Sequence, residues 1–157
     1  MIPSSNLCGS MLDRLGSCGI RLLPSAADAN GQLVVNAQLA DPFPVKRVFT
    51  VLAPLGALRG QHAHRQCSQF LSAPTGEVVV TVTDGTSVQV HRLSSPTAGL
   101  YVPPMVWASE FFATDGAALL VLCDKEYDES DYIRDWEEYL ELVLVPDKPR
   151  RNRSLSG

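Results

Sequence analysis

The chain has 157 residues, enough for a single domain with a core of its own. Hydrophobic residues make up 45% and charged residues 19% of the sequence, as in an ordinary globular protein. The formal net charge of −4 argues against nucleic acid or an anionic membrane as a partner, so an anionic ligand would depend on individual Arg or Lys side chains.

Neither a secretory leader nor a membrane span is predicted, because no basic stretch precedes an apolar run and no apolar run reaches spanning length. Four cysteines are scattered along the chain without a CxxC pair, at Cys8, Cys18, Cys67 and Cys123. Such scattered cysteines favour reduced thiols over disulfides or zinc ligands. We therefore expect a cytoplasmic protein.

Three segments are predicted in chain order. Residues 1–30 are rich in Ser, Gly and Ala and are expected to form a loosely ordered lead-in, with one short strand around Gly19–Leu23. Residues 31–145 are expected to form the folded domain. Residues 146–157 (PDKPRRNRSLSG) have no apolar face and are expected to form a flexible basic tail.

The folded domain is predicted to consist mainly of short strands, because apolar and β-branched runs alternate with Gly, Pro, Asp and Asn. Asp84-Gly85 supplies the positive φ angles of a type I′ turn between two of these strands. Many short strands at this spacing indicate a sandwich or a closed barrel. The predicted strands are Gln32–Gln38, Arg47–Ala53, Gln69–Ala73, Glu77–Thr83, Thr86–Leu93, Leu100–Val102, Val106–Ala113 and Ala117–Cys123.

One helix is predicted near the C-terminus, in DESDYIRDWEEYLELV (128–143). Asp128, Ser130 or Asp131 would cap its start. We expect its aromatic face to pack on the strands. The apolar residues recur at three- and four-residue steps, at Tyr132, Ile133, Trp136, Tyr139, Leu140 and Val143.

The spacing Gly56-x5-His62-Ala-His64-x4-Gln69-x6-Gly76 follows the first cupin motif, in which two histidines and a glutamate bind a metal inside a barrel. Alternate residues of a strand face the same side, so His62 and His64 are expected to project together. The predicted fold is therefore all-β: a cupin-type jelly-roll barrel with one C-terminal helix.

The metal ligands of a cupin are incomplete in this chain. Gln69 stands in place of the glutamate, and a neutral amide is a poor ligand for a divalent cation. The region of the second motif, Gly99–Trp107, has no histidine, and His91 alternates with valines and is expected to face solvent. We therefore predict no metal and no cofactor. Imidazole titrates near neutrality, so the two histidines are interpreted as proton-transfer groups, the alternative being hydrogen-bonded core residues.

Five strings of the chain resemble, in the same order, the sugar 3,4-ketoisomerases, which are FdtA/WxcM-like cupins acting on dTDP-4-keto-6-deoxyglucose. The strings are VKRVF (45–49), RGQHAH (59–64), QFL (69–71), GLYVPPMVW (99–107) and YDESDYIRDWEEYL (127–140). The resemblance implies a metal-independent isomerase that moves the ketone of a nucleotide-linked 4-keto-6-deoxyhexose from C4 to C3. It also implies a homodimer.

The same resemblance implies roles for individual residues. His62 is the expected base that shuttles the proton, with His64 assisting as acid or orienter. Arg59 is expected to contact an anion, either pyrophosphate or the developing oxyanion, although an ordinary surface ion pair fits it equally well. The other expected substrate-binding residues are Gln69, Tyr101 and Trp107, and a simple packed ring is an equal alternative for Tyr101.

Some positions depart from the family pattern. Phe49 replaces a tyrosine, Ala108 and Ser109 follow the tryptophan where many members have a polar or basic residue, and Asn30 replaces an arginine. A lost hydroxyl or cation removes transition-state stabilisation at a sugar site. Two alternatives therefore stay open: a repurposed cupin-barrel enzyme, such as a cyclase or a metal-dependent enzyme acting on another biosynthetic intermediate, and a non-catalytic ligand-binding module.

Overall fold

The computed structural model describes residues 14–145, so the first part of the predicted lead-in and the whole basic tail lie outside the described residues. The helix is α1 (Trp136–Leu144). The strands are β1 (Gly19–Leu22), β2 (Ser25–Asp28), β3 (Gly31–Val34), β4 (Arg47–Leu52), β5 (Leu58–His64), β6 (Gln69–Thr75), β7 (Val78–Thr83), β8 (Val88–Leu93), β9 (Ala98–Val102), β10 (Trp107–Phe112), β11 (Ala118–Cys123) and β12 (Tyr132–Ile133).

Ten of these strands build two antiparallel sheets. One sheet has the order β1-β9-β6-β11-β4 and the other the order β12-β5-β10-β7-β8, while β2 and β3 form a separate hairpin. The predicted all-β class with one C-terminal helix is confirmed. Within the described part of the chain, hydrogen bonds do not join the two sheets into a closed barrel, so the jelly roll takes the form of two packed sheets.

One hydrophobic cluster fills the space between the sheets. Alternate residues of β7 (Val78, Val80 and Val82) pack with residues of the facing sheet, among them Leu71 and Val121. Burying one such side chain contributes about 1.5–3 kcal/mol, so this shared core is what holds the two sheets together.

The hairpin between β7 and β8 is confirmed, but the predicted type I′ turn is wrong. Thr83 pairs with Val88, which leaves a four-residue loop rather than a two-residue turn. Gly85 has a positive φ of 92°, whereas Asp84 does not. The Asp84 carboxylate instead accepts hydrogen bonds from the backbone N–H groups of Thr86 (2.9 Å) and Ser87 (2.9 Å), and these bonds shape the loop.

The prediction that His91 faces solvent is wrong, because valines rather than His91 occupy the outer face of β8. Val88 and Val90 are 64% and 62% exposed, while His91 is half-buried and bonds the side chain of Gln89 at 3.2 Å. The two valines of this strand therefore lie on its outer side, whereas Leu93 is buried in the core.

The C-terminal helix begins at Trp136, eight residues later than predicted. Asp135 caps it by accepting a hydrogen bond from the Glu138 N–H at 2.8 Å. Residues 129–131 form a 3-10 turn, and Tyr132 and Ile133 form β12, which pairs with the end of β5. This short strand therefore lies beside the two histidines.

Tyr139 fastens α1 to the sheet below it. Its side chain is fully buried, and its hydroxyl donates to the carbonyl of Thr83 at 2.7 Å, with the Met105 carbonyl at 3.2 Å. We expect Tyr139→Phe to lower the free energy of unfolding by about 1–3 kcal/mol, because two partly buried carbonyls lose their donor. Urea denaturation measures this loss.

Tyr127→Phe is the matched control for that measurement. Tyr127 is 63% exposed, and within the described part of the chain its hydroxyl bonds only the carboxylate of Glu129, two residues later. Its removal is expected to change the free energy of unfolding by less than about 0.5 kcal/mol. Equal stability of the two variants would contradict the anchoring role of Tyr139.

No helix in the described part of the chain is long and apolar enough to cross a membrane. The cytoplasmic location stays a prediction.

Candidate active site

The structure brings His62 and His64 together at the end of β5. The centroids of their rings are 5.1 Å apart and the ring planes are nearly perpendicular, at 81°. His64 is buried and His62 is half-buried. The pair therefore combines one enclosed imidazole with one that has access to solvent.

A β-bulge in β5 determines which side chains accompany the histidines. Gly60 and Gln61 both have positive φ angles, 71° and 58°, and the pairing with β10 shifts at this point. Beyond the bulge Ala108 pairs with His62, and before it Glu110 pairs with Arg59. Opposed residues of an antiparallel pair share one face, so Arg59 lies on the same face as His62 although three positions separate them.

The short strand β12 brings a carboxylate to the inner histidine. Asp131 Oδ2 lies 3.0 Å from His64 Nδ1, and Asp131 also accepts hydrogen bonds from the backbone N–H groups of Gln66 (2.7 Å) and Cys67 (3.3 Å). Since a carboxylate accepts, Nδ1 of His64 carries the hydrogen. Its Nε2 is buried and has no hydrogen-bond partner among the described residues. A free Nε2 lone pair is therefore held in a fixed orientation.

Both imidazoles are held in the neutral form. Burial lowers the pKa of His62 to about 4, and the positive charge of Arg134 acts in the same direction, whereas the carbonyl of Gly60 opposes it. Burial also lowers the pKa of His64, although Asp131 opposes that shift. A neutral imidazole can accept a proton, so both rings are bases at neutral pH.

A half-buried arginine, Arg47, lies next to the pair. Its guanidinium donates to the Tyr132 hydroxyl at 3.3 Å and to Cys123 Sγ at 3.4 Å. The Tyr132 ring in turn lies 4.3 Å from His64 and 5.0 Å from His62, measured between centroids. The site therefore contains a fixed positive charge that can stabilise a developing oxyanion.

Gln69, predicted from the motif, lies in the same interior. It is buried, and its amide donates toward Cys123 Sγ at 3.7 Å. Hydrogen bonding from Cys67 and the guanidinium of Arg47 lower the pKa of Cys123. Cys123 therefore interacts with three polar side chains of the interior, those of Cys67, Gln69 and Arg47.

Tyr101 and Trp107 are not brought to this site. On β9 the interior positions are filled by Leu100 and Val102, so Tyr101 lies on the opposite face, where it packs near Phe43 and bonds Ser68 at 3.3 Å. The sequence-based expectation that it lines the cavity is therefore not met. The packed-ring alternative fits its position.

Trp107 has a comparable outward position. Its indole packs against α1, with ring centroids 5.1 Å from Trp136 and 5.3 Å from Tyr139. The next residue, Ala108, is the one that faces the interior. Trp107 therefore supports the sheet from outside rather than contacting a ligand beside the histidines.

The donor atoms of His64, Cys67 and Asp131 lie within 4.8 Å of one another and are the candidate metal ligands of the described residues. Hydrogen bonds account for their proximity: His64 and Asp131 bond each other, and the Cys67 thiol donates to the Ser68 carbonyl at 3.3 Å. We assign no metal to them, and the absence of a metal requirement stays a prediction.

Three residues of the site were missed from the sequence: Arg47, Glu110 and Asp131. Asp131 was assigned to a helix cap, yet Asp135-x-x-Glu138 resembles a capping box and points to a helix start after Asp135. With the helix starting there, Asp131 would not have been assigned as its cap and would have been available as a site residue. Glu110 is a charged residue between the interior residues Ala108 and Phe112, a pattern typical of a functional position.

Comparison with known proteins shows which family the sequence matches. Residues 17–144 match the family described as "FdtA: WxcM-like, C-terminal". The chain is 35% identical over 118 residues to TDP-4-oxo-6-deoxy-alpha-D-glucose-3,4-oxoisomerase of Aneurinibacillus thermoaerophilus, which covers 74% of this chain and 85% of that protein.

Two solved structures of one enzyme are also similar. QdtA, a sugar 3,4-ketoisomerase from Thermoanaerobacterium thermosaccharolyticum in complex with TDP, has a TM-score of 0.78 and 32% identity, covering 85% of this chain and 97% of its own. A histidine-to-asparagine variant of QdtA in complex with TDP-4-keto-6-deoxyglucose has a TM-score of 0.77 and 31% identity. This match covers 85% of this chain and 96% of the QdtA chain.

Proposed function

The chain belongs to the FdtA family of WxcM-like proteins, and from this premise we propose that it is a sugar-nucleotide 3,4-ketoisomerase. Its substrate would be a TDP-linked 4-keto-6-deoxyhexose, whose ketone moves from C4 to C3. The observation that carries the proposal is the pair of neutral imidazoles, each with one buried ring nitrogen that has no hydrogen-bond partner among residues 14–145: Nδ1 of His62 and Nε2 of His64.

The proposed reaction needs a base beside the C3 hydrogen. His62 is assigned this role because it is neutral and only half-buried: its Nδ1 is enclosed, and the accessible part of the ring is assigned to the sugar. It removes the proton from C3, an ene-diol forms across C3 and C4, and the same imidazolium returns a proton to C4. His64, oriented by Asp131, assists from the interior side with its free Nε2.

The two arginines are assigned different anions. Arg47 lies beside both the Tyr132 hydroxyl and the histidines, where a charge on the sugar oxygen would develop, and it is assigned to that oxyanion. Arg59 is exposed on the interior-facing side of β5 and is assigned to the pyrophosphate. Phe49, which stands where the family pattern has a tyrosine, packs on the core beneath Arg47, whose guanidinium carbon lies 5.3 Å from the ring centroid. The ring therefore supports this cation but supplies no hydroxyl.

The test is proton NMR of TDP-4-keto-6-deoxyglucose incubated with the protein in heavy water after chelator treatment. We expect conversion to the 3-keto sugar with deuterium incorporated, because the base exchanges its proton with solvent between removal and return. Heat-killed protein is the control. An unchanged spectrum would refute this substrate, and recovery of activity only with added metal would refute the metal-independent mechanism.

We also propose a homodimer, as the family resemblance implies. The mass of the 17.0 kDa chain in solution, measured by light scattering, decides between monomer and dimer.

A further inference from the structure

A second titratable group, Glu110, lies inside the fold near His62 and has no role in the reaction as proposed so far. It sits on β10 between Ala108 and Phe112, both of which are buried in the core between the sheets. The residue is only 7% exposed. Among the described residues its carboxyl group has no hydrogen-bond partner, yet its oxygens are not among the fully enclosed unpaired side-chain atoms, so a small part of the carboxyl group stays accessible.

The bulge in β5 creates the space that this carboxyl group occupies. A Cβ atom placed on Gly60 would lie 2.2 Å from Oε2 and 2.8 Å from Oε1 of Glu110. The carboxyl group can therefore lie against β5 at this point only because Gly60 has no side chain. Gly60 is also the residue whose carbonyl acts on the His62 ring, so Glu110 and His62 adjoin the same backbone position.

The charged neighbours of Glu110 are few. On β5 they are Arg59, directly opposite in the register, and His62, while the interior residues of β7 on the other side are valines. Across the interior, β4 and β11 present Arg47 and Cys123, which bond each other. None of these groups forms an ion pair with Glu110 within the described residues.

We propose that Glu110 is a further catalytic residue, an acid that moves a proton between the two sugar oxygens while His62 moves the proton between the two carbons. The inference rests on the proposed isomerase function. Moving a ketone from C4 to C3 requires two proton transfers on carbon and two on oxygen. The transfers on oxygen have no assigned group without Glu110, because the hydrogen of His64 is held by Asp131.

The proton balance closes with these two groups. When His62 takes the C3 proton, the electron pair forms the C3–C4 double bond and O4 takes the proton of the Glu110 carboxyl group. The resulting carboxylate then removes the proton from O3 as the C3 carbonyl forms, and the imidazolium of His62 delivers its proton to C4. Both residues return to their starting states and no co-reactant is consumed.

The protonation states fit this division. Burial raises the pKa of Glu110 to about 7, although Arg59 opposes the shift, while burial lowers that of His62 to about 4. Near neutral pH the carboxyl group is therefore substantially protonated and the imidazole is neutral, which gives an acid and a base on the same face of the β5–β10 pair. As pH rises through 7, the acid is lost.

The test compares the parent protein with Glu110→Gln, which keeps shape and hydrogen bonding but cannot transfer a proton. We expect kcat to fall by about 10²-fold with little change in KM. Deuterium uptake at C3 should persist in the variant and outpace ketone transfer, since His62 is intact. The parent should also lose kcat/KM as pH rises through about 7, and the variant should lack that decline.

Glu77→Gln is the matched control, because Glu77 pairs with Arg92 on the outer side and is expected to leave all rates unchanged. Thermal unfolding checks that both variants fold. A Glu110→Gln variant with parental kcat and the parental decline above pH 7 would overturn the proposal for Glu110 alone. A parent protein that neither exchanges nor isomerises the sugar would overturn the proposed function, and this inference with it.

Discussion

Replacing His62 with asparagine is expected to lower kcat/KM for ketone transfer by roughly 10²–10⁴-fold, the contribution typical of a general base. Asparagine preserves polarity and approximate size but cannot accept the C3 proton. Deuterium incorporation at C3 and C4, followed by NMR in heavy water, should fall together with product formation. This joint loss separates a missing base from a missing acid.

His91→Asn supplies the control, since that histidine lies on β8 and bonds only Gln89 among the described residues. It should retain the parental rates. His64→Asn completes the set: if it abolishes exchange while His62→Asn exchanges as fast as the parent, the assignment of the base is wrong. The pH profile adds a check, because protonation of His62 removes the base and activity should therefore decline as pH falls through about 4.

Asp131→Asn is expected to have the second-largest effect, a fall in kcat of roughly 10²–10⁴-fold with KM little changed. Asp131 fixes the hydrogen of His64 on Nδ1 by accepting it at 3.0 Å. An amide nitrogen turned toward Nδ1 would donate instead and force the hydrogen onto Nε2, which removes the free lone pair. Nitrogen NMR of the labelled imidazole reports this change of tautomer directly.

Asp135→Asn is a fitting comparison for that variant, because it is the same substitution four residues later. Asp135 caps α1, and asparagine caps a helix nearly as well as aspartate. It should leave kcat and the His64 tautomer unchanged. An Asp131→Asn variant with parental kcat, or with its His64 hydrogen still on Nδ1, would rule out Asp131 as a positioning residue.

Much of the fold could be predicted because its signals are local. Alternation of apolar residues located β4, β6, β7, β10 and β11 to within a few residues, and two-residue periodicity placed His62 and His64 on one face. β12 could not be found this way, since a two-residue strand shows no periodicity. Its residues Tyr132 and Ile133 instead coincided with the spacing of the helix that follows.

The errors at the site have a different physical origin. Tyr101 and Trp107 were assigned from motif strings, but which face of a strand is interior depends on the register with its neighbours. Bulges change that register, as at Gly60 and Gln61, where the face of Arg59 is set by one extra residue. Pairings between distant segments, such as Asp131 with His64, carry no local signal at all.

The hydrogen bond between His64 and Asp131 joins positions that are 67 residues apart. A polypeptide still emerging from the ribosome therefore acquires both imidazoles, and most strands of the two sheets, well before it contains the carboxylate that orients one of them. The ability to turn over substrate is thus conferred late in synthesis, when the segment containing β12 has been made and has docked on the edge of β5. Until then the nascent chain contains the groups of a catalyst without their alignment.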